Sequence, residues 1–155
     1  MFPFKVRYDR TIRAFIDPEK FSELLDFSGN LLSKEGADYF SREGNRLKFE
    51  NRLFKLIWNW ELMVPIDAGF VEINEGQNNN IKIRYSITLT RVWALSVIAA
   101  FIIWISNKNI IWSLVTIGFL GGLNWIIAVI RHWVFFYEMT NSMIKNKINV
   151  LQQRV

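Results

Sequence analysis

Residues 92–105 and 110–130 read VWALSVIAAFIIWI and IIWSLVTIGFLGGLNWIIAVI, and only Ser106, Asn107, Lys108 and Asn109 separate them. Neither run holds a charged residue. The second run has 21 residues and as a helix would extend about 31 Å, the thickness of a bilayer's hydrocarbon core. The spacing predicts a transmembrane helical hairpin over 91–131, with helices at about 87–105 and 110–131. The first run is short for a span. Either its helix begins near residues 86–89 with Arg91 reaching back to the headgroups, or a strand ends at Arg91 and the bilayer thins around a short helix.

Tryptophans flank both runs: Trp93 and Trp104 the first, Trp112 and Trp133 the second. An indole has an apolar ring and a wet N–H, so these four read as interface anchors, with Arg91 and Arg131 beside them. Lys82, Arg84 and Arg91 precede the hairpin, and Arg131, Lys145, Lys147 and Arg154 follow it, against Lys108 alone at the tip. The positive-inside rule then puts both termini in the cytoplasm.

Within the second run, Gly118 and Gly122 stand four apart with Gly121 between them, a spacing that lets helix backbones approach closely. The partner is either the other arm of the hairpin or a neighbouring molecule. Asn124 follows one turn after Gly121, and a carboxamide in hydrocarbon calls for a bond across helices. Gly118, Gly121, Gly122 and Asn124 are therefore the expected association residues.

Residues 1–90 read as a small α+β cytoplasmic domain. Phe4, Val6 and Tyr8 alternate with Lys5 and Arg7, as in a strand. Asp17, Pro18 and Glu19 form a helix start, and Phe21, Leu24, Leu25, Ser28, Leu31 and Leu32 follow on one helical face until Gly36. Strands are expected at 39–43 and 46–50 around a Gly44-Asn45 turn, over 53–64, at 70–74 and over 81–89. In the last, Ile81, Ile83, Tyr85, Ile87 and Leu89 share one face. The expected fold is one helix on a four- or five-stranded antiparallel sheet, then the membrane hairpin and a C-terminal helix over 132–155. Trp58 and Trp60 alternate onto one face, as core or as a platform for headgroups or a partner protein.

In the C-terminal segment, Val134, Tyr137, Asn141, Ile144, Ile148 and Leu151 follow three- and four-residue steps. They form a coiled-coil seam, an interfacial helix or a face docked on the N-terminal domain.

Charge and motifs narrow the function. The net charge of +5 is spread over the tip and tail, without the basic cluster that nucleic acid requires. With no cysteine, disulfides and thiol chemistry are excluded. Residues 1–5 lack the charged and apolar regions of a signal peptide. No phosphate loop, zinc-helix motif or nucleophile elbow is present. The lone His132 has no carboxylate at a triad-like spacing and is expected to meet headgroups. No cofactor, metal site or catalytic residue is expected. The wealth of Ile, Asn, Lys and Phe hints at an AT-rich bacterial genome and hence an inner membrane. The expected partners are the bilayer and a homo-oligomer or larger membrane complex. The leading expectation is a non-catalytic scaffold or accessory subunit. A ligand-gated effector that perturbs the bilayer and a lipid-acting enzyme using the Trp58/Trp60 face are the rivals.

Overall fold

A computed structural model describes residues 4–13, 20–52, 63, 65–76 and 80–152, with side chains as far as Lys145. Five strands form one antiparallel sheet: β1 (Lys5–Arg13), β2 (Tyr39–Glu43), β3 (Arg46–Glu50), β4 (Ala68–Glu75) and β5 (Asn80–Thr88). The spatial order is β1-β5-β4-β3-β2. β2 to β5 form a meander, while β1 lies beside β5, so the chain crosses the whole sheet between its first two strands. Helix α1 (Phe21–Lys34) lies in that crossover and packs on β3 and β4. The expected helix start at Asp17, Pro18 and Glu19, the strand over 53–64 and the Trp58/Trp60 face lie outside the described residues.

The end of α1 follows the sequence signal. Gly36 adopts φ +97°, the Ala37 N–H bonds the Leu32 carbonyl at 2.9 Å and the Gly36 N–H bonds Ser33 at 3.0 Å. A left-handed residue just past the helix closes its last carbonyls in this way, and glycine adopts it without a Cβ clash.

β5 behaves as its alternation predicts. Ile81, Ile83, Tyr85, Ile87 and Leu89 are all buried, and Tyr85 is the centre of the core. Rings of Tyr8, Phe49, His132, Phe135 and Phe136 surround it at centroid distances of 5.9–6.1 Å.

Helix α2 (Thr90–Asn107) follows β5 after a single residue, Leu89. The helix starts a little later than the expected 86–89, because Leu89 is still tied to the sheet: its N–H bonds the Phe4 carbonyl at 2.7 Å and its side chain is buried. After a tight turn with Lys108 at φ +49°, Asn109 caps α3 (Ile110–Thr116) by accepting the Ile111 N–H. A π-helical segment (Ile117–Leu123) continues it into α4 (Asn124–Gln152). The architecture is thus α+β, with two long apolar helical rods compatible with transmembrane segments by length and composition. The second rod runs on past the hairpin, and α4 lies against α1 and β1.

Candidate functional site at the sheet–hairpin junction

Three sets of contacts bind the two rods to the sheet. The first holds α2. The Asp67 carboxylate at the head of β4 accepts the Thr90 and Arg91 N–H groups at 2.5 and 3.3 Å. It thereby caps α2 from a distant strand, where the helix dipole favours negative charge. Its other oxygen pairs with Arg91 Nε at 2.8 Å. The remaining Arg91 nitrogens donate to the carbonyls of Arg52 and Asn51, both at 2.7 Å. Asn51 in turn donates to the carbonyls of Met63 and Ile66. Arg91 was expected to reach for headgroups. Its guanidinium instead turns back to the domain, because the fork geometry matches a carboxylate and two adjacent carbonyls there.

The second set holds α4. Tyr85 Oη lies 2.9 Å from His132 Nδ1, and both residues are wholly buried. Burial pushes the Tyr85 phenol well above its ordinary value, with smaller pushes from Tyr8 and Glu35, so the hydroxyl keeps its proton. The Tyr85–His132 hydrogen bond joins β5 to α4, and which partner donates follows the imidazole tautomer. The expectation that His132 meets headgroups is corrected: it is a core residue. Nearby, Tyr8 donates to the Val129 carbonyl at 2.7 Å, and burial raises this phenol too.

The third set lies higher on β1. Arg10 Nη1 donates to Thr140 Oγ1 at 2.5 Å and to Asn141 Oδ1 at 2.9 Å. Its guanidinium carbon lies 4.5 Å from the Tyr137 ring centroid. The face of α4 that meets the sheet comprises His132, Phe135, Phe136, Met139, Thr140 and Met143, all buried. Of the expected seam, Val134 and Tyr137 are exposed and Asn141 meets Arg10. The side chains of Ile148 and Leu151 are not described.

In the hairpin the contact between arms uses small residues. Val92, Ser96 and Ala100 are the buried positions of α2, and Ser113 and Gly121 face them from the other arm. A Cβ on Gly121 would meet Ser96 Oγ and the Trp93 ring, each at 3.1 Å. Trp93 thus packs on Gly121 within the hairpin, whereas Trp104, Trp112 and Trp133 are exposed. A Cβ on Gly118 or Gly122 would meet nothing within 4 Å. Asn124, expected to bond across helices, donates to the Leu120 carbonyl of its own helix at 2.7 Å. That carbonyl lies in the π segment, where the regular helical partner is displaced.

The sheet face away from α1 and α4 is charged and internally paired. Asp9, Arg84, Glu72 and Arg46 stand opposite one another across β1, β5, β4 and β3, joined by contacts of 3.1, 2.8 and 2.9 Å. Burial raises the Asp9 and Glu72 carboxyls, but the adjoining arginines outweigh it and hold both below the usual range. The row offers no uncompensated charge to a ligand. Among the described residues, no group of three or more His, Asp or Glu side chains could hold a metal ion.

Sequence reasoning missed Asp67, Tyr85, His132 and Arg10 as junction residues. Tyr85 was legible as core; its hydrogen-bond partner, 47 residues away, was not. The chain matches no family model, and neither a curated protein nor a solved structure shows significant similarity to it.

Proposed function

We propose that this chain is a two-pass inner-membrane protein that acts without catalysis, as a scaffold or accessory subunit of a membrane assembly, with both termini in the cytoplasm. The observation that carries this reading is the bare apolar surface of the hairpin. Leu95, Ile98, Phe101, Ile102, Ile105, Ile111, Leu114, Val115 and Phe119 are each more than half exposed. Together with their neighbours they present on the order of 1,000 Å², against a few hundred on a soluble monomer. Left in water rather than moved into hydrocarbon, that surface costs on the order of 25 kcal/mol at about 25 cal/mol per Å². A bilayer removes the cost and leaves no backbone group unpaired. With 18 residues, α2 rises about 27 Å, close to the hydrocarbon thickness. The cytoplasmic sheet then stands on the inner leaflet, held by the Asp67–Arg91 and Tyr85–His132 contacts, and presents its outer face to partners.

The absence of cysteine makes the test direct. Asn107→Cys should react with an impermeant maleimide from outside the cell, and Ser41→Cys only after permeabilisation. The protein should also stay in membranes washed with alkaline carbonate. Recovery of the full chain in the soluble fraction without detergent would refute the reading.

A second reading, a ligand-gated effector that perturbs the bilayer, draws on the Arg91 contacts, because one side chain couples the ends of β3 and β4 to α2. It requires dye permeability that changes with inducing conditions. A membrane impermeable under all of them excludes it.

A further inference from the structure

We propose that two copies of this chain pair in parallel along α4, through one heptad seam running from Leu123 to Leu151. The proposal rests on the membrane reading above. The seam is Leu123, Ile127, Ile130, Val134, Tyr137, Asn141, Ile144, Ile148 and Leu151, nine positions separated alternately by four and three residues. It begins at the last residue of the π segment and continues through α4. The sheet covers the other side of α4, and Leu123, Ile127, Ile130, Val134 and Tyr137 are 36–56% exposed, with Arg10 of β1 reaching the stripe's edge at Tyr137 and Asn141.

The pattern specifies its occupant. Lipid needs only apolarity, and the three-four run of α2, Leu95, Ile98, Ile102 and Ile105, ends with the hairpin. From Val134 to Leu151 the seam continues for about 26 Å beyond the level of the hairpin's base, where there is no hydrocarbon to cover it. A strict 3.5-residue repeat sustained over four heptads is the mark of helix pairing. With Ile127, Val134, Asn141 and Ile148 at the a positions, all but one are β-branched and the last is asparagine. The d positions, Leu123, Ile130, Tyr137, Ile144 and Leu151, are mixed, so it is the single Asn at a, rather than the aliphatic composition, that specifies two strands and sets their register. Two copies inserted in one bilayer in the same sense are necessarily parallel, so each a position faces its own counterpart across the two-fold axis. Arg10 holds the Asn141 oxygen, which leaves the amide N–H groups to the opposing helix and links the sheet to the register residue.

The test uses the full-length, cysteine-free chain in carbonate-washed membranes. Ile130→Cys and Val134→Cys replace exposed seam residues, and Leu95→Cys places a thiol on the exposed face of α2. Under mild oxidation both seam variants should shift to twice the 18.4 kDa monomer mass, while Leu95→Cys stays monomeric. Monomers in all three, equal dimer from Leu95→Cys, or adducts of another mass would each overturn the proposal. The carbonate supernatant separates the two readings: a seam-specific dimer found there supports the pairing and refutes membrane insertion.

Discussion

Replacing Arg91 by methionine keeps the aliphatic stem and removes the guanidinium. Three contacts disappear: the pair with Asp67 and the bonds to the Asn51 and Arg52 carbonyls. A hydrogen bond to a charged group contributes about 1.5–3 kcal/mol net. The Arg91 and Asp67 side chains are each 20% exposed, so the lower figure applies and solvent screening discounts the ion pair further. Asp67 also keeps its two backbone donors at the start of α2. The loss should be about 3 kcal/mol. For a domain of this size, 1 kcal/mol moves Tm by roughly 4–8 °C, so the fall should exceed 10 °C.

The assay is a thermal melt followed by near-ultraviolet circular dichroism, in detergent micelles free of phospholipid. The choice of solvent matters: an arginine that served as a headgroup anchor would be silent there, and one that clamps the domain would not. Arg91→Lys should recover little, because a single ammonium cannot span a carboxylate and two carbonyls. In a double-mutant cycle with Asp67→Asn the two losses should not add. A fall of less than about 4 °C for Arg91→Met, or strict additivity in the cycle, would refute the account of the junction.

Tyr85→Phe removes the buried hydroxyl that bonds His132 Nδ1, and denaturant titration should show a loss of about 1–3 kcal/mol. Gly121→Leu should disrupt the hairpin, because its first added atom already meets Trp93 and Ser96 at 3.1 Å; Gly118→Ala, in open space, should leave the melt unchanged. Asp9 and Glu72 have lowered folded-state pKa values, so their stabilisation is complete above the ordinary carboxyl range near 4 and is lost as pH falls through the depressed values. Glu72→Gln should therefore flatten the acid limb of a stability–pH profile while lowering stability at pH 7.

What was legible in the sequence had a local cause. The β5 face, the stop at Gly36 and the Gly44-Asn45 turn each follow from period or from a backbone preference within a few residues. The sheet order is not of this kind: β1 belongs beside β5 because α1 carries the chain across, and no residue in β1 announces its neighbour. The packed face of α4 was obscured for another reason. His132, Phe135, Phe136, Met139 and Met143 recur at helical spacing beside a second stripe, Val134, Tyr137, Asn141 and Ile144, which recurs equally well. With two apolar stripes on one helix, spacing alone does not say which one the sheet takes. In the structure the sheet takes the stripe that brings His132, Phe135 and Phe136 against Tyr85. Arg91 misled for a similar reason: a charge at a span's edge reads as a headgroup contact until its carboxylate, 24 residues earlier, is placed.

The π segment connects these observations. Ser113 and Gly121 both face α2, yet eight residues make about 2.2 turns of a regular α-helix and would leave Gly121 roughly 80° round the axis. Wider turns, closed by bonds five residues apart, hold more residues per revolution and remove much of that lag. Gly121 and its glycine neighbours permit this, because the small face lets the backbone lie against Trp93, and Asn124 satisfies the Leu120 carbonyl. Beyond Leu123 the regular helix resumes, and from there a single rotational phase serves the rest of α4. His132 is turned to Tyr85, and the stripe through Val134 and Tyr137 is turned away from the sheet. The glycines that look like an association motif therefore have a prior task inside the chain. Gly121 sets the separation of the arms, and the distorted turn around it determines which side of α4 meets the sheet.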